Sequence, residues 1–565
     1  MLYILLSWLA VFFCASVAGV GLNNVFKLKN KFVFTQFLGF FGIAVFAAYF
    51  AIFYKIGIVF HAILWPVLFF ILLKCKKDFI DHLRDFHEGF LKMQWFSKVG
   101  FSVVTLLILA QCASPPYIID NESYYLQTIK WLNEYGYVTG LGNLHFFFGQ
   151  TSAWHILQSV FNFNFIYDNF NDLSGYCLWL GNFFAFQKLS LAFSTEKNRT
   201  LNLAIGILPL GNILFFQFIS APSPDLPVMI LCFLIFYALL KNYPNYSKSD
   251  FISICFLSFF VLFVKTINLF LIAVPIYMYF KSAKNLKAGI QPAFWIGFLT
   301  FAIMLIKNQI LTGYPLYPLK LIHFDVNYTV PVELLDFLYK GTKRYAYLLS
   351  YEAYVSLSVW ERFLYWLQLP GLKGIFNKLM LAAVLFLPFF LRKPNFKKPL
   401  IFIYFLLLAH LAVLFVTSPQ YRFFLLFLLF FPAVVFACFF QKEIIVKSFV
   451  SFGIIVAAVL IFVPISFNKF TENPLMVSGS TFTWKYAISP HTNSQYEFNF
   501  RKIVEGNLEY NSPPEDAFFW LTGDGELPCV NKKQIDYFKE QYHLVPQLRG
   551  ENLESGFYSK QLKIP

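Results

Sequence analysis

Apolar segments long enough to cross a lipid bilayer recur along this chain of 565 residues, and they constrain its fold more than any other feature. A transmembrane helix needs about 20 consecutive apolar residues, and about fourteen segments meet that requirement. A content of 58% hydrophobic and only 13% charged residues excludes an ordinary soluble domain. We therefore predict an all-α polytopic membrane protein with about 12 to 14 transmembrane helices. The predicted spans are residues 2–20, 32–53, 56–74, 99–113, 172–193, 201–219, 226–240, 251–264, 267–280, 292–309, 375–391, 399–416, 422–440 and 446–465.

Clusters of lysine and arginine orient these predicted spans. If every span is counted, the clusters at residues 27–31, 74–98, 197–199, 281–287, 392–398 and 442–447 all fall on one side. Positively charged loops favour the cytoplasmic side of a membrane. The formal net charge of +15 is then a consequence of topology, and we predict no nucleic-acid partner.

The chain divides into three predicted parts. Residues 1–98 contain N-terminal spans followed by an amphipathic segment at the cytoplasmic interface. Residues 99–466 form the main transmembrane module, with long outer loops at 114–171 and 310–372. Residues 467–565 mix short apolar runs with Pro, Gly and Asn, which predicts a small α+β domain outside the cytoplasm.

A polar run from Pro115 to Tyr125 directly follows an apolar segment and carries two carboxylates, Asp120 and Glu122. Ionisable groups at such a position indicate a functional site, although a solvated acidic loop is the ordinary alternative. If the adjacent prolines keep the backbone extended, residues two apart lie on one side of the chain. The two carboxylates are then base and orienting group, or joint ligands of a divalent cation such as Mg²⁺ or Mn²⁺.

Transfer of a sugar from a lipid-phosphate donor requires a general base, cations that offset the charge on the departing phosphate, and a cleft open to lipid. The predicted outer face provides Asp120 and Glu122 as catalytic carboxylates that could act as the general base, with Lys265 and Arg422 as phosphate partners. A third acid, Asp225, lies in the next outer loop at the start of a predicted helix, where an N-cap is its simpler alternative role. For Arg422, the simpler alternative is a contact with lipid headgroups. A histidine at an interface is also more often structural. The predicted substrate-binding residues are Asp225, Lys265, Arg422, His145, Asn143, Trp154, His155 and Tyr314.

The order of these motifs resembles the GT-C superfamily of glycosyltransferases, which includes protein O-mannosyltransferases and bacterial aminoarabinose transferases. The resemblance rests on Asp120-x-Glu122 followed by Tyr124-Tyr125, then Ser-Pro-Asp225, Lys265-Thr and Arg422-Phe. It implies a loop acid as catalytic residue, for which Asp120 is the match, and polyprenyl-phosphate sugars as donors. This chain departs from the superfamily by carrying three spans before the helix that precedes Asp120.

The chain is more closely similar to an uncharacterised family of large bacterial membrane proteins, found in Bacteroidetes and spirochaetes. The runs that carry this likeness are 140–145 (GLGNLH), 311–318 (LTGYPLYP), 527–529 (LPC) and 548–550 (LRG). Both resemblances together imply a multi-pass protein of the bacterial inner membrane with its C-terminal domain in the periplasm.

The favoured function is thus a membrane glycosyltransferase that moves a sugar from a polyprenyl-phosphate donor to a glycan, lipid or protein acceptor outside the cytoplasm. An O-antigen polymerase or ligase, a transporter or flippase for lipid-linked glycans, and a structural subunit of an envelope complex are the alternatives. A transporter predicts ionisable residues near mid-helix, whereas nearly all of those above lie at outer helix ends.

Overall fold

The computed structural model describes residues 1–391, 396–466, 473, 475 and 482–563. The first part of the predicted C-terminal domain and residues 392–395 of one basic cluster lie outside the described residues. The described chain is mostly helical, with short strands only near the C-terminus. The helices are α1 Leu2–Phe26, α2 Phe32–Phe50, α3 Ile58–Lys74, α4 Lys76–Leu91, α5 Trp95–Cys112, α6 Leu126–Glu134, α7 Ala153–Phe161, α8 Leu173–Ser194, α9 Arg199–Gly206, α10 Asn212–Phe215, α11 Asp225–Lys241, α12 Lys248–Val264, α13 Ala273–Leu286, α14 Ile290–Thr312, α15 Val332–Tyr347, α16 Tyr351–Ser356, α17 Val359–Leu367, α18 Gly371–Phe390, α19 Lys397–Val416, α20 Tyr421–Phe439, α21 Glu443–Phe462 and α22 Lys532–Tyr542.

Among the described residues, nine helices are long and apolar enough to cross a membrane, or up to ten if the bent pair α3–α4 is one span. These apolar helices indicate a membrane protein. All fourteen predicted spans are helical or largely helical, but two of them merge into the single run Thr266–Thr312. Helices α8, α11 and α12 do not belong to the nine, and α11 and α12 have only 17 residues each. The nine candidates are Leu2–Phe26, Phe32–Phe50, Trp95–Cys112, Arg199–Phe218, Thr266–Thr312, Gly371–Phe390, Lys397–Val416, Tyr421–Phe439 and Glu443–Phe462.

Helix α11 is the central helix of the bundle. Every residue from Asp225 to Leu240 is buried, because α8, α9, α12 and α20 pack around it. A helix that is apolar on all sides is stable only when it is enclosed in this way. Its position fixes Asp225, the first residue of α11, deep among the surrounding helices.

The amphipathic segment predicted after the third span is helix α4. It turns by 91° from α3, and half of its residues are exposed. Only His82 is buried, where its Nε2 lies 3.2 Å from the Ser16 hydroxyl. The contact attaches α4 to α1 at one end of the bundle.

Among the described residues of the C-terminal region, the main secondary structure is two antiparallel strand pairs and α22. Strands β1 Arg501–Glu505 and β2 Leu508–Ser512 pair with Arg501 opposite Ser512. Strands β3 Leu544–Leu548 and β4 Phe557–Gln561 pair with Leu544 opposite Gln561. The Phe557 amide donates to the Thr139 carbonyl at 2.9 Å, so this region packs against the segment that follows α6.

Candidate functional site

Four of the predicted site residues meet in one charged cluster. The Arg422 guanidinium Nη1 lies 2.7 Å from an Asp120 carboxylate oxygen and 3.8 Å from an Asp225 oxygen. The Lys265 ammonium forms an ion pair with the other Asp225 oxygen. Each cation is thus matched by an acid, and Arg422 bridges both carboxylates. Partly buried charges persist only when they are paired like this.

Helix ends and a break in a helix bring these groups together. Asp225 begins α11 and Arg422 is the second residue of α20, whereas Lys265 directly follows α12 in an extended conformation with φ −155°. The N-terminus of a helix carries partial positive charge, which favours Asp225 and disfavours Arg422. The two carboxylates offset that unfavourable position of Arg422.

The cluster has an outer and an inner end. The Asp120 and Arg422 side chains are 26% and 28% exposed, whereas Asp225 is 4% exposed. The Asp120–Arg422 pair is therefore accessible from the surface of the molecule, whereas Asp225 is shielded. Below that pair, a cavity of about 10 Å³ has room for about one water molecule. Its lining comprises Asp225, Val228, Met229, Lys265, Ile267, Asn268, Arg422, Phe423 and Leu426.

Aromatic side chains surround the charges. The Lys265 ammonium lies 4.3 Å from the centre of the Phe423 ring, and the Arg422 guanidinium lies 5.1 Å from it. The Tyr125 hydroxyl donates to Asp120 at 3.4 Å. Cation–π contacts of this kind hold cationic side chains in place where water is scarce.

Glu122 does not join this cluster, and the expected extended backbone is wrong. Asp120 precedes a turn of π-helix, Asn121–Tyr125, in which the Leu126 amide donates to the Asn121 carbonyl. In a helix, residues two apart point to nearly opposite sides, so Asp120 and Glu122 diverge. π-Helical turns are rare and are frequent at functional sites.

The Glu122 carboxylate is completely buried against the C-terminal region. It accepts hydrogen bonds from the Ser494 hydroxyl at 2.6 Å, from the Gln495 amide at 3.0 Å and from the Asn121 side chain at 3.2 Å. Burial raises the pKa of Glu122 from 4.5 to about 7, although these donors oppose the increase. The partners described for the Glu122 carboxylate are Asn121, Ser494 and Gln495, and they do not include the charged cluster.

The opposite directions of the Asp120 and Glu122 side chains also argue against the predicted site for a divalent cation. Asp120 pairs with Arg422, and Glu122 binds the C-terminal region, so the two carboxylates do not form a shared ligand set. In the part of the chain that the structure describes, no group of three or more His, Cys, Asp and Glu side chains is arranged to bind a metal. The residues present do not fit a joint Mg²⁺ or Mn²⁺ site.

His155 packs against Tyr125, the residue whose hydroxyl contacts Asp120 of the cluster. Its ring centre is 4.7 Å from that of Tyr125, and its Nδ1 accepts from the Ser152 amide in a capping box at the start of α7. The His155 Nε2 has no hydrogen-bond partner among the described residues. Burial lowers the pKa of His155 to about 3, so the imidazole is neutral.

The other predicted pocket residues have structural contacts. Trp154 is fully buried and donates to the Ser174 hydroxyl at 3.0 Å. Asn143 joins three segments, since it donates to the Gly140 and Tyr328 carbonyls and accepts from the Ser559 hydroxyl.

His145 and Tyr314 belong to aromatic packing near the outer loops. The His145 ring stacks on Phe148 at 4.8 Å, and burial lowers its pKa to about 3. Tyr314 is buried with its ring centre 5.7 Å from that of His323. The contacts described for these two residues are with other aromatic rings and the local backbone, and they do not include the charged cluster.

Sequence reasoning missed three contributors to the site. Tyr125 and Phe423 directly contact the cluster. Both stand inside the motifs Tyr124-Tyr125 and Arg422-Phe, but neither was predicted as a site residue. The His410 Nε2 on α19 donates to the Phe423 carbonyl at 3.0 Å, and the His410 ring centre lies 4.4 Å from that of Phe270. A histidine within an apolar helix is itself a signal of function that was available in the sequence.

The fold and the site define a helical protein in which paired acids and bases lie at the ends of long apolar helices. The chain belongs to the family described as Domain of unknown function (DUF8201), whose model matches residues 1–429. That match includes the four residues of the charged cluster. No curated protein and no solved structure matches the chain.

Proposed function

We propose that the protein is a membrane glycosyltransferase that uses a polyprenyl-phosphate sugar as donor. The observation that carries this proposal is the cluster of Asp120, Arg422, Asp225 and Lys265 at the ends of apolar helices. It combines a partly exposed carboxylate with two cations, next to helices long enough to sit in a bilayer. The resemblance to the GT-C superfamily is consistent with this chemistry.

In the proposed reaction, Asp120 is the general base. An acceptor hydroxyl loses its proton to the Asp120 carboxylate while its oxygen bonds to the anomeric carbon of the sugar. The bond between that carbon and the phosphate oxygen breaks, and polyprenyl phosphate leaves with one more negative charge. A single displacement inverts the configuration at the anomeric carbon.

Arg422 and Lys265 offset the charge that develops on the departing phosphate. Because Arg422 is paired with Asp120 before the donor binds, the donor phosphate replaces Asp120 as the partner of Arg422. That exchange releases the carboxylate for its work as a base. Asp225, which is buried, remains paired with Lys265 and Arg422 and keeps both cations in position.

The proposed function also implies where in the cell the protein lies. The apolar helices indicate a membrane protein. We propose that it is a polytopic, GT-C-like α-helical bundle in the bacterial inner membrane. The positive-inside rule, applied to the basic clusters, supports a periplasmic position for the site and the C-terminal region. The acceptor is then a glycan, lipid or protein of the cell envelope.

The test compares surface glycans of cells that carry the wild type, a deletion, Asp120→Asn or the control Asp336→Asn at equal membrane levels. Asp336 is a suitable control because it is an exposed acid that pairs with Lys320 away from the cluster. We expect the deletion and Asp120→Asn to lose the same glycan and the control to retain it. Retention of the glycan by Asp120→Asn overturns the assignment of the base.

The same cells also distinguish a transferase from a flippase. Loss of a transferase leaves acceptors that lack one sugar, whereas loss of a flippase leaves complete lipid-linked glycans in the inner membrane. Mass spectrometry of the lipid-linked pool distinguishes the two products. Accumulation of a complete glycan contradicts the proposed function.

A further inference from the structure

The C-terminal region makes a continuous set of hydrogen bonds to the turn and helix that follow Asp120. Gln127 on α6 donates to the Gly523 and Gly525 carbonyls at 3.1 and 2.8 Å. Lys130, one turn further along α6, donates to the Asp524 carbonyl at 2.7 Å and pairs with its carboxylate at 2.7 Å. The Gly-Asp-Gly turn thus sits along one side of α6.

Glu122 lies at the centre of this contact and uses both its backbone and its side chain. Its carbonyl accepts from the Thr522 and Gly523 amides, both at 2.8 Å. Its carboxylate accepts from Ser494 and Gln495, in a second part of the C-terminal region. One residue of the π-helical turn therefore joins two separate C-terminal segments.

The same turn determines where Asp120 lies. Asn121, the residue between the two acids, donates to both the Glu122 carboxylate and the Asn493 carbonyl at 3.2 and 2.9 Å. At the far end of the turn, Tyr125 donates to Asp120. π-Helical turns are rare, and contacts from the C-terminal region hold both Asn121 and Glu122 of this one.

We propose that the C-terminal region positions Asp120 by holding the π-helical turn through Glu122, and that Glu122 is a positioning residue rather than a proton-transfer group. This inference rests on the proposed function, because it assigns Asp120 as the base. It also makes the C-terminal region a working part of the site, although residues 482–563 lie beyond the family match.

The hydrogen bonds around Ser494 explain why Glu122 does not need its charge for this role. The Ser494 hydroxyl is 2.6 Å from the Glu122 carboxylate and 3.1 Å from the Tyr496 carbonyl, so it donates to either one. A glutamine at position 122 keeps the acceptor oxygen for the Gln495 amide and donates its NH₂ to Ser494, whose proton then turns to Tyr496. An alanine removes all of these contacts.

The experiment compares Glu122→Gln, Glu122→Ala and the control Glu134→Ala in the full-length protein in lipid nanodiscs and in cells. Glu134 is an exposed acid at the end of the same helix, α6. Hydrogen exchange of residues 119–130, 493–495 and 522–525 reports docking, and the surface-glycan profile reports activity. Residues 176–190 of α8 provide an internal reference for the rest of the fold.

We expect Glu122→Ala to accelerate exchange on both sides of the contact by roughly tenfold or more, with α8 unchanged, and to lose the glycan. Glu122→Gln and Glu134→Ala are expected to keep both docking and the glycan. Loss of the glycan in Glu122→Gln with intact docking overturns the inference and makes Glu122 catalytic. Retention of the glycan in an undocked Glu122→Ala also overturns it.

Failure of this inference is distinguishable from failure of the proposed function. If Asp120→Asn keeps the glycan, the proposed base is wrong whatever the Glu122 variants do. If Asp120→Asn loses the glycan and Glu122→Ala keeps it, the base stands and only the positioning role is rejected.

Discussion

Contact between the C-terminal region and the π-helical turn is expected to weaken as pH rises, because Glu122 is buried in that contact. Burial raises the pKa of Glu122 from 4.5 to about 7 in the docked state. A carboxyl with a higher pKa when docked holds its proton more tightly there, so protonation favours docking. This contribution is fully present below pH 4.5 and is lost as pH rises through about 7.

The difference between the two pKa values corresponds to about 3 kcal/mol of docking free energy across the whole range. Between about pH 6 and about pH 8 the same relation gives about 1.4 kcal/mol, which is about tenfold in the opening equilibrium. The neighbouring Asp524 carboxylate also raises the Glu122 pKa, and Lys130 partly neutralises Asp524. Glu122 is the group in this contact whose pKa is raised into that pH range.

Hydrogen exchange of residues 119–130 at these two pH values, normalised to the intrinsic rate at each pH, measures the effect. The wild type is expected to open about tenfold more at the higher pH, and Glu122→Gln is expected to show no change. An equal pH dependence in both proteins refutes the reasoning, since the titrating group is then not Glu122. If the contact in the wild type opens more at the lower pH, the predicted direction of the pH dependence is wrong.

Two further substitutions test contacts of the site. Arg422→Lys is expected to reduce use of the polyprenyl-phosphate donor by about tenfold, because one ammonium cannot reproduce the bridge to both Asp120 and Asp225. Transfer measured at increasing donor concentration tests this expectation. An unchanged dependence on donor concentration contradicts the role of Arg422. Asn143→Ala is expected to lower the free energy of unfolding by about 1–3 kcal/mol, because it removes the side-chain partner of the Ser559 hydroxyl and of the partly buried Tyr328 carbonyl. Thermal unfolding measures this change, and a loss of transfer at unchanged stability indicates that Asn143 binds substrate instead.

The apolar runs alone determined the positions of most of the long helices. Long stretches of Leu, Phe, Ile and Val form helices wherever they occur in a low-dielectric environment, since the backbone groups must pair within the segment. The same local signal marked Asp225, Lys265 and Arg422, because charged residues interrupt or border those runs. The sequence therefore predicted which ionisable groups to compare.

Only the tertiary structure decided which of those groups are partners. Asp120 and Arg422 are 302 positions apart, and no local pattern specifies that their helices meet. Glu122 looked equivalent to Asp120 in the sequence, yet it binds Ser494, which is 372 positions away. The helical turn between the two acids directs them to opposite sides, and long-range packing then gives one a place near the outer surface and the other a buried contact.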